Sequence, residues 1–265
     1  MLFKLTIAVL AVLSLLLAYS LVPSSDDISP PCMAKEDTQD MERVKSLGRS
    51  AFVLGYTGAV GKALVNELNK TKIFKKVVLI GRRIVPLDVG PEFEQRVIDF
   101  EKLDEHKDAF KDLDAGFCCL GSYRAKVGVE GFLRTDRDYV LMSAQIAKDQ
   151  GCDHFSIVST MGSNKDSYFL YPKIKGEVED NLSKMNFDRL SIYRPGFLIT
   201  DHREEKRTLE KIVKVLMTPI IYFGPTLMSI PVETVAKAMV NNVVKPFAIK
   251  EIYENKAIHQ MAKEC

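Results

Sequence analysis

Short apolar runs alternate with longer amphipathic stretches along the chain from residue 50 onward. Six of the apolar runs have the length of a strand: Ala51–Gly55, Lys76–Gly81, Arg96–Phe100, Gly116–Gly121, Phe155–Ser159 and Arg189–Tyr193. Nearly all of them are continuously apolar, which is typical of strands covered on both faces. The intervening stretches, such as Gly61–Lys70 and Phe132–Gln150, have the length and spacing of amphipathic helices. This alternation predicts an α/β fold built on a doubly wound parallel sheet.

We expect this α/β domain to span residues 49–265 and to carry a small cap near its C-terminal end. The pattern over about residues 197–230 predicts loop and amphipathic helix, whose apolar side chains either cover a substrate pocket or join the core. Ile230-Pro231-Val232 is followed by apolar residues at helical spacing, which predicts a strand that enters a closing helix.

The first 48 residues lack the alternation. Residues 5–22 form an apolar run after Lys4, and a helix of that length, about 27 Å, would just cross a bilayer core. The run predicts a transmembrane signal anchor or a cleaved signal peptide at an endomembrane such as the endoplasmic reticulum, with its orientation open. A start at Met33 would instead give a cytoplasmic form. Residues 23–48 predict a tether with a short helix at Thr38–Leu47.

Composition adds little to this picture. The 265 residues are 46% hydrophobic and 27% charged, as in ordinary soluble domains, and the net charge of +2 gives no reason to expect a nucleic-acid partner. Four histidines lack the spacing of metal ligands, so we expect no metal. Five cysteines include no C-x-x-C pair, and Cys118-Cys119 lies in an apolar run, which predicts free, buried thiols.

A glycine-rich loop follows the first predicted strand and opens a helix. The loop reads Gly55-Tyr56-Thr57-Gly58-Ala59-Val60-Gly61. Glycines at such a turn let the backbone approach a pyrophosphate, and the free N–H groups at the positive end of the helix meet its negative charge. The position between strand and helix predicts that these seven residues bind a dinucleotide.

Arginines follow the second predicted strand. An NAD-binding protein usually has an acidic residue roughly 20 residues past the glycines, where it accepts from the ribose hydroxyl. Here Arg82 and Arg83 occupy that place, and guanidinium groups match a 2′-phosphate, so we expect NADPH as the cofactor. Asp99-Phe100, at the end of the third predicted strand, is expected near the adenine. Leu120 and Gly121, after the fourth, are expected to lie along the cofactor.

Candidate catalytic residues follow the fifth predicted strand. Ser159 ends that strand, and Tyr171 and Lys175 stand four residues apart, on one face of a helix. A nearby ammonium stabilises the phenolate, so the tyrosine can exchange a proton with a carbonyl or alcohol while hydride moves to or from the nicotinamide. The serine hydroxyl would hold the substrate oxygen. Pro172 disfavours a helical conformation at Tyr171 unless the helix starts there.

Several motifs together resemble those of the atypical short-chain dehydrogenases/reductases. They are the glycine loop, the two arginines, the set of Ser159, Tyr171 and Lys175, and Arg194-Pro195-Gly196. Longer strings resemble the Tat-interacting oxidoreductase family: Leu79-Ile-Gly-Arg-Arg83, Asp99-Phe-Glu-Lys-Leu103, Gly116-Phe-Cys-Cys-Leu-Gly121, Asp136-Arg-Asp-Tyr-Val140, Lys175-Gly-Glu-Val-Glu179 and Asn255-Lys-Ala-Ile-His259. The resemblance implies NADPH binding by the residues already described, with Arg194 added, and Tyr171 as proton donor or acceptor. It also implies redox-linked regulation through a protein partner, including nuclear transport.

Two functions are therefore expected as alternatives. The first is an NADPH-dependent oxidoreductase of short-chain dehydrogenase/reductase type that acts on an unidentified small carbonyl or alcohol. The second is a non-catalytic NADPH sensor that binds a protein partner. The Tyr171, Lys175 and Ser159 set favours the enzyme, whereas Pro172 favours the sensor.

Overall fold

The apolar runs form one parallel sheet in the computed structural model, which describes residues 34–200, 228–245 and 248–263. The strands are β1 Ser50–Leu54, β2 Lys76–Gly81, β3 Phe93–Val97, β4 Ala115–Cys118, β5 His154–Val158, β6 Arg189–Arg194, β7 Phe197–Ile199, β8 Ser229–Pro231 and β9 Lys250–Glu254. Within the described residues, seven of them pair in the order β3-β2-β1-β4-β5-β6-β9, and β7 pairs with β8 in a separate two-stranded ribbon. The predicted doubly wound parallel sheet is confirmed.

Helices cover both faces of the sheet. They are α1 Ala34–Ser46, α2 Ala59–Thr71, α3 Arg124–Leu133, α4 Tyr139–Asp149, α5 Leu170–Lys184, α6 Val232–Val244 and α7 Asn255–Lys263, with a 3₁₀ segment at Phe100–Phe110 and a π-helical turn at Arg134–Asp138. Val53 and Leu79 pack with α2, α6 and α7 on one face, whereas Phe52 and Ile80 pack with α4 and α5 on the other. Consecutive strand residues thus enter opposite cores, which explains the continuous apolar runs.

The third strand lies three residues before its predicted place. Arg96–Phe100 was predicted, but β3 is Phe93–Val97, and the chain turns at Asp99, whose side chain accepts from the Glu101 N–H at 3.0 Å. The prediction was wrong because Ile98 and Phe100 are buried without belonging to the strand. Their apolar character reflects packing against the sheet from the following turn and 3₁₀ segment.

Other elements also differ from the prediction, among them β7, which lies where loop and amphipathic helix were predicted. The single helix predicted over Phe132–Gln150 is divided into the end of α3, the π-helical turn and α4. Strand β9 was not predicted, because its residues are alternately exposed and half-buried at the sheet edge. Continuous apolar runs mark central strands and not edge strands of this kind.

The C-terminal strand and helix follow the prediction, since β8 runs directly into α6. Most of the predicted cap, residues 201–227, lies outside the described residues, as do the predicted membrane segment 5–22 and the alternative start at Met33. None of the helices in the described ranges is long and apolar enough to cross a membrane. The predicted short helix of the tether is α1. Cys118 is a buried free thiol, as expected, whereas Cys119 is free but only half-buried.

Buried polar side chains join β5, β6, β9 and α6. His154 Nε2 lies 3.0 Å from the Ser191 hydroxyl, which donates to Glu251 at 2.8 Å. Arg189 pairs with the same carboxylate at 3.1 Å. Burial, followed by the charges of Arg189 and Arg49, holds the pKa of His154 well below its usual range. The fold therefore requires a neutral imidazole at this position.

Acidification should destabilise the protein through His154. The unfolded chain binds this proton at a pKa of about 6.5 and the folded chain only at lower pH, so the free energy of unfolding falls as the pH drops below about 6.5. One such group contributes at most about 1.4 kcal/mol per pH unit. Urea unfolding at about pH 7.5 and about pH 5.5 measures the difference. His154→Asn should reduce that difference, and an equal difference in both proteins would contradict the assignment.

Candidate functional site

A cavity of about 290 Å³ opens at the carboxyl ends of β1, β2 and β4. This is where the order of the sheet reverses, since the chain leaves β1 for β2 on one side and β4 for β5 on the other. Ligands of doubly wound sheets bind in the crevice at such a switch point. The described residues that line the cavity are Gly55, Tyr56, Thr57, Gly58, Ile80, Gly81, Arg82, Arg83, Phe100, Cys119, Leu120, Gly121, Thr135 and Tyr139.

The glycine loop brings the backbone to the floor of the cavity. Gly55 has φ +74°, and a Cβ there would lie 2.6 Å from the Cys119 carbonyl oxygen, so only glycine fits both the conformation and the space. The Gly58 N–H donates to the Gly55 carbonyl at 2.9 Å and closes the turn. Helix α2 then begins at Ala59, with no side-chain cap and no acidic residue in its first turn. Its positive end is therefore free to meet an anion.

Arg82 and Arg83 also line the cavity, directly after β2, and both are exposed. Burial raises the pKa of the Tyr56 phenol, and the Arg83 charge partly offsets that rise. Neither guanidinium pairs with a carboxylate among the residues that the structure describes. Both positive charges are thus available to a ligand in the cavity.

Two aromatic rings form a further wall. Phe100 and Tyr139 have ring centroids 5.3 Å apart, and the Tyr139 hydroxyl donates to Glu101 at 2.5 Å. Burial and the Glu101 carboxylate raise the pKa of Tyr139 to about 12, against the charges of Arg134 and Arg82. The predicted adenine contact, Asp99, is not among the described lining residues and caps the 3₁₀ segment instead. Phe100, which the sequence placed beside the adenine together with Asp99, does line the cavity. Sequence reasoning missed Tyr139, which comes from helix α4 and not from the end of a strand.

Helix α5 carries the predicted tyrosine and lysine together. It begins at Leu170, so Pro172 stands in its first turn, where its missing N–H leaves no helical hydrogen bond unmade. Tyr171 is therefore helical in spite of Pro172. Its ring stacks on Phe132 at 5.6 Å and remains about half exposed, whereas Lys175 is buried one turn further along.

A buried ion pair holds the lysine. Lys175 Nζ lies 2.9 Å from Asp136 Oδ1, and the other Asp136 oxygen accepts from the Ser122 N–H at 2.8 Å and from its hydroxyl at 2.6 Å. Burial alone would lower the pKa of Lys175, but the Asp136 carboxylate, with a smaller contribution from Tyr171, shifts the pKa upward overall. Lys175 therefore stays protonated at neutral pH.

Ser159 and Arg194 belong to a different cluster. The Ser159 hydroxyl donates to the buried Glu179 carboxylate, and Ser163 donates to the same oxygen at 2.5 Å. Arg194 pairs with Glu179 at 2.5 Å and with Glu254 at 2.9 Å, and these carboxylates raise the pKa of the guanidinium. None of the four predicted residues Ser159, Tyr171, Lys175 and Arg194 is among the described residues that line the cavity.

A parallel sheet in this order, with a glycine loop at its switch point, defines a Rossmann-type dinucleotide-binding protein. In agreement, a family model described as NAD(P)H-binding matches residues 55–246. The chain belongs to that family and, as its sequence resemblance predicted, to the Tat-interacting oxidoreductase group within it. Protein HTATIP2 of Rattus norvegicus is 44% identical over 226 residues, which is 84% of this chain and 93% of the relative.

More distant relatives share the same domain. Protein FMP52-1, mitochondrial, of Scheffersomyces stipitis is 33% identical over 71% of this chain and 86% of its own length. Among solved structures, the oxidoreductase ylbE from Lactococcus lactis aligns with a TM-score of 0.59 at 20% identity, covering 81% of this chain and 95% of its own. UDP-glucuronic acid 4-epimerase from Bacillus cereus, in complex with NAD, aligns with a TM-score of 0.57 at 14% identity, covering 77% of this chain and 76% of its own. The two structures support the fold.

Replacing Asp136 by asparagine should strongly destabilise the protein, because it leaves the buried Lys175 ammonium without a counter-charge. We expect a loss of about 3–5 kcal/mol in the free energy of unfolding. Chemical denaturation of Asp136→Asn, Lys175→Met and the double variant measures the coupling. Most of the loss should be recovered in the double variant relative to Asp136→Asn, and strictly additive losses would contradict a direct pair.

Proposed function

We propose that the protein is an NADPH-dependent oxidoreductase that transfers hydride to or from a small carbonyl or alcohol. The observation that carries the proposal is the pair of exposed arginines beside the glycine loop in one cavity. The loop and the uncapped start of α2 suit the pyrophosphate, and the arginines suit the 2′-phosphate that distinguishes NADPH from NADH. Phe100 and Tyr139 suit the flat adenine ring.

Removing both guanidinium groups should abolish the preference for NADPH over NADH. Loss of the charge-assisted pairs with the phosphate should cost roughly 1.5–3 kcal/mol, or about tenfold or more in NADPH affinity. NADH affinity should change little. Calorimetric titration of Arg82→Ala/Arg83→Ala with both cofactors measures the ratio of NADPH affinity to NADH affinity.

The matched control is Arg43→Ala/Lys45→Ala, which removes two exposed positive charges from α1, outside the cavity lining. It should keep the wild-type ratio. If the ratio of NADPH to NADH affinity is unchanged in the Arg82→Ala/Arg83→Ala protein, the assignment of the 2′-phosphate site is refuted.

Tyr171 and Lys175 supply the proton chemistry in this proposal. When bound, NADPH would supply hydride chemistry at the carbonyl carbon. Tyr171 donates its phenolic proton to the carbonyl oxygen, which becomes the alcohol, and the reverse reaction returns that proton to the phenolate. Lys175, kept cationic by Asp136, stabilises the phenolate formed in between. The exposed edge of the Tyr171 ring leaves room for a substrate.

A second candidate function is an NADPH sensor that acts through a protein partner. The specific observation in its favour is that two members of the expected catalytic set are engaged in buried contacts. The Ser159 hydroxyl donates to Glu179, and Lys175 pairs with Asp136. A sensor would use the same cofactor cavity and have no turnover, and the name of HTATIP2 is consistent with a protein interaction.

Replacement of Tyr171 by phenylalanine decides between the two functions. A screen of aldehydes, ketones and quinones with NADPH first provides an active substrate. Tyr171→Phe keeps the ring that stacks on Phe132, so NADPH affinity should be retained while turnover falls by about 10²–10⁴. Tyr168→Phe, which removes the hydroxyl of a fully exposed tyrosine on the same segment, should keep full activity. Full turnover in Tyr171→Phe would refute the catalytic role, and a screen without turnover would favour the sensor.

We infer membrane association from the apolar segment at residues 5–22. An endomembrane such as the endoplasmic reticulum is the location that the segment favours. The name of the Scheffersomyces stipitis relative includes the word mitochondrial, which makes the mitochondrion an alternative location. A chain started at Met33 would lack the segment and would be cytoplasmic.

A further inference from the structure

Tyr56 connects the glycine loop to the end of β2. Its side chain is about 1% exposed, and its ring fills the space beside Gly81, where a Cβ would lie 2.6 Å from Tyr56 Cε1. Strand β2 can therefore pass this close to the Tyr56 ring only with glycine at position 81. A residue of the glycine loop thus packs directly against the start of the segment that carries both arginines.

The Tyr56 hydroxyl also holds that segment, residues 82–85, which we call the arginine turn. It donates to the Arg83 carbonyl at 2.6 Å and lies 2.9 Å from Gln95 Oε1 on β3. Gln95 in turn brackets Val85, since Oε1 accepts from the Val85 N–H at 2.9 Å and Nε2 donates to the Val85 carbonyl at 2.8 Å. Two side chains from different elements therefore fix the backbone at both ends of the turn.

The arginine turn lies outside helix and strand, between Gly81 and Phe93, so it lacks ladder hydrogen bonds that would fix its backbone. The guanidinium groups of Arg82 and Arg83 are exposed. Ordering a long cationic side chain at a ligand costs conformational entropy, and the cost rises if its backbone is also free to move. The contacts of Tyr56 and Gln95 already order the backbone, so ligand binding no longer has to pay the entropy of ordering it.

We propose that Tyr56 and Gln95 are positioning residues for cofactor selectivity. They hold the arginine turn so that Arg82 and Arg83 meet the 2′-phosphate. The inference rests on the proposed NADPH binding and extends it to residues that make no charged contact with the cofactor.

The test is Tyr56→Phe, which keeps the ring beside Gly81 and removes only the hydroxyl. Titrations use NADPH and NADH, together with adenosine 2′,5′-bisphosphate and adenosine 5′-monophosphate, which isolate the contribution of the 2′-phosphate. We expect the affinities for NADPH and the bisphosphate to fall about two- to tenfold, as for the loss of one ordering hydrogen bond. The affinities for NADH and the monophosphate should remain as in the wild type.

Gln95→Met, which removes the bracket on Val85, should change the affinities in the same direction. The matched control is Tyr253→Phe, which loses a phenol bond to Asn242 away from the cavity and should leave all four affinities unchanged. A wild type without NADPH preference would overturn the proposed cofactor and this inference together. If the wild type prefers NADPH but Tyr56→Phe weakens the binding of both cofactors equally, only the inference would be overturned. The same holds if Tyr56→Phe weakens the binding of neither cofactor.

Discussion

The close approach of two backbones at the carboxyl end of the sheet is the constraint on which the site depends. Gly55 lies so near the Cys119 carbonyl that a side chain at position 55 would overlap it. Adjacent strands β1 and β4 diverge at this height into connections on opposite sides, and the crevice opens between them. Around that crevice lie the cavity, the uncapped start of α2 and the arginine turn.

Positive charges around the site fall into two groups with different roles. Arg82 and Arg83 are exposed at the cavity and are free of carboxylate partners within the described ranges, so they can bind an anion. Lys175 and Arg194 are paired with carboxylates, Asp136 and Glu179, and their geometry is fixed by the fold. Burying a cation is costly unless it is paired, which explains why only the exposed group remains available to a ligand.

The fold was predictable where strands are central and covered on both faces. The continuous apolar runs predicted β1, β2, β4, β5 and β6, and their alternation with helices predicted a doubly wound parallel sheet. The edge strands were not predictable in this way, because β9 is alternately exposed and β3 is only half-buried. At β3 the apolar signal belonged to Ile98 and Phe100, which pack under the sheet after the strand has ended.

The sequence by itself determined the glycine loop, the two arginines after β2 and the spacing of Tyr171 and Lys175, because each of these depends on residues close together in the chain. Only the tertiary structure decided which distant groups they meet. Lys175 is held by Asp136 from the π-helical turn, Ser159 donates to Glu179, and the Tyr56 phenol supports the backbone of Arg83. Such partners come from segments that the parallel sheet brings to one edge. The spacing of residues within one segment does not show which distant segments will pack there.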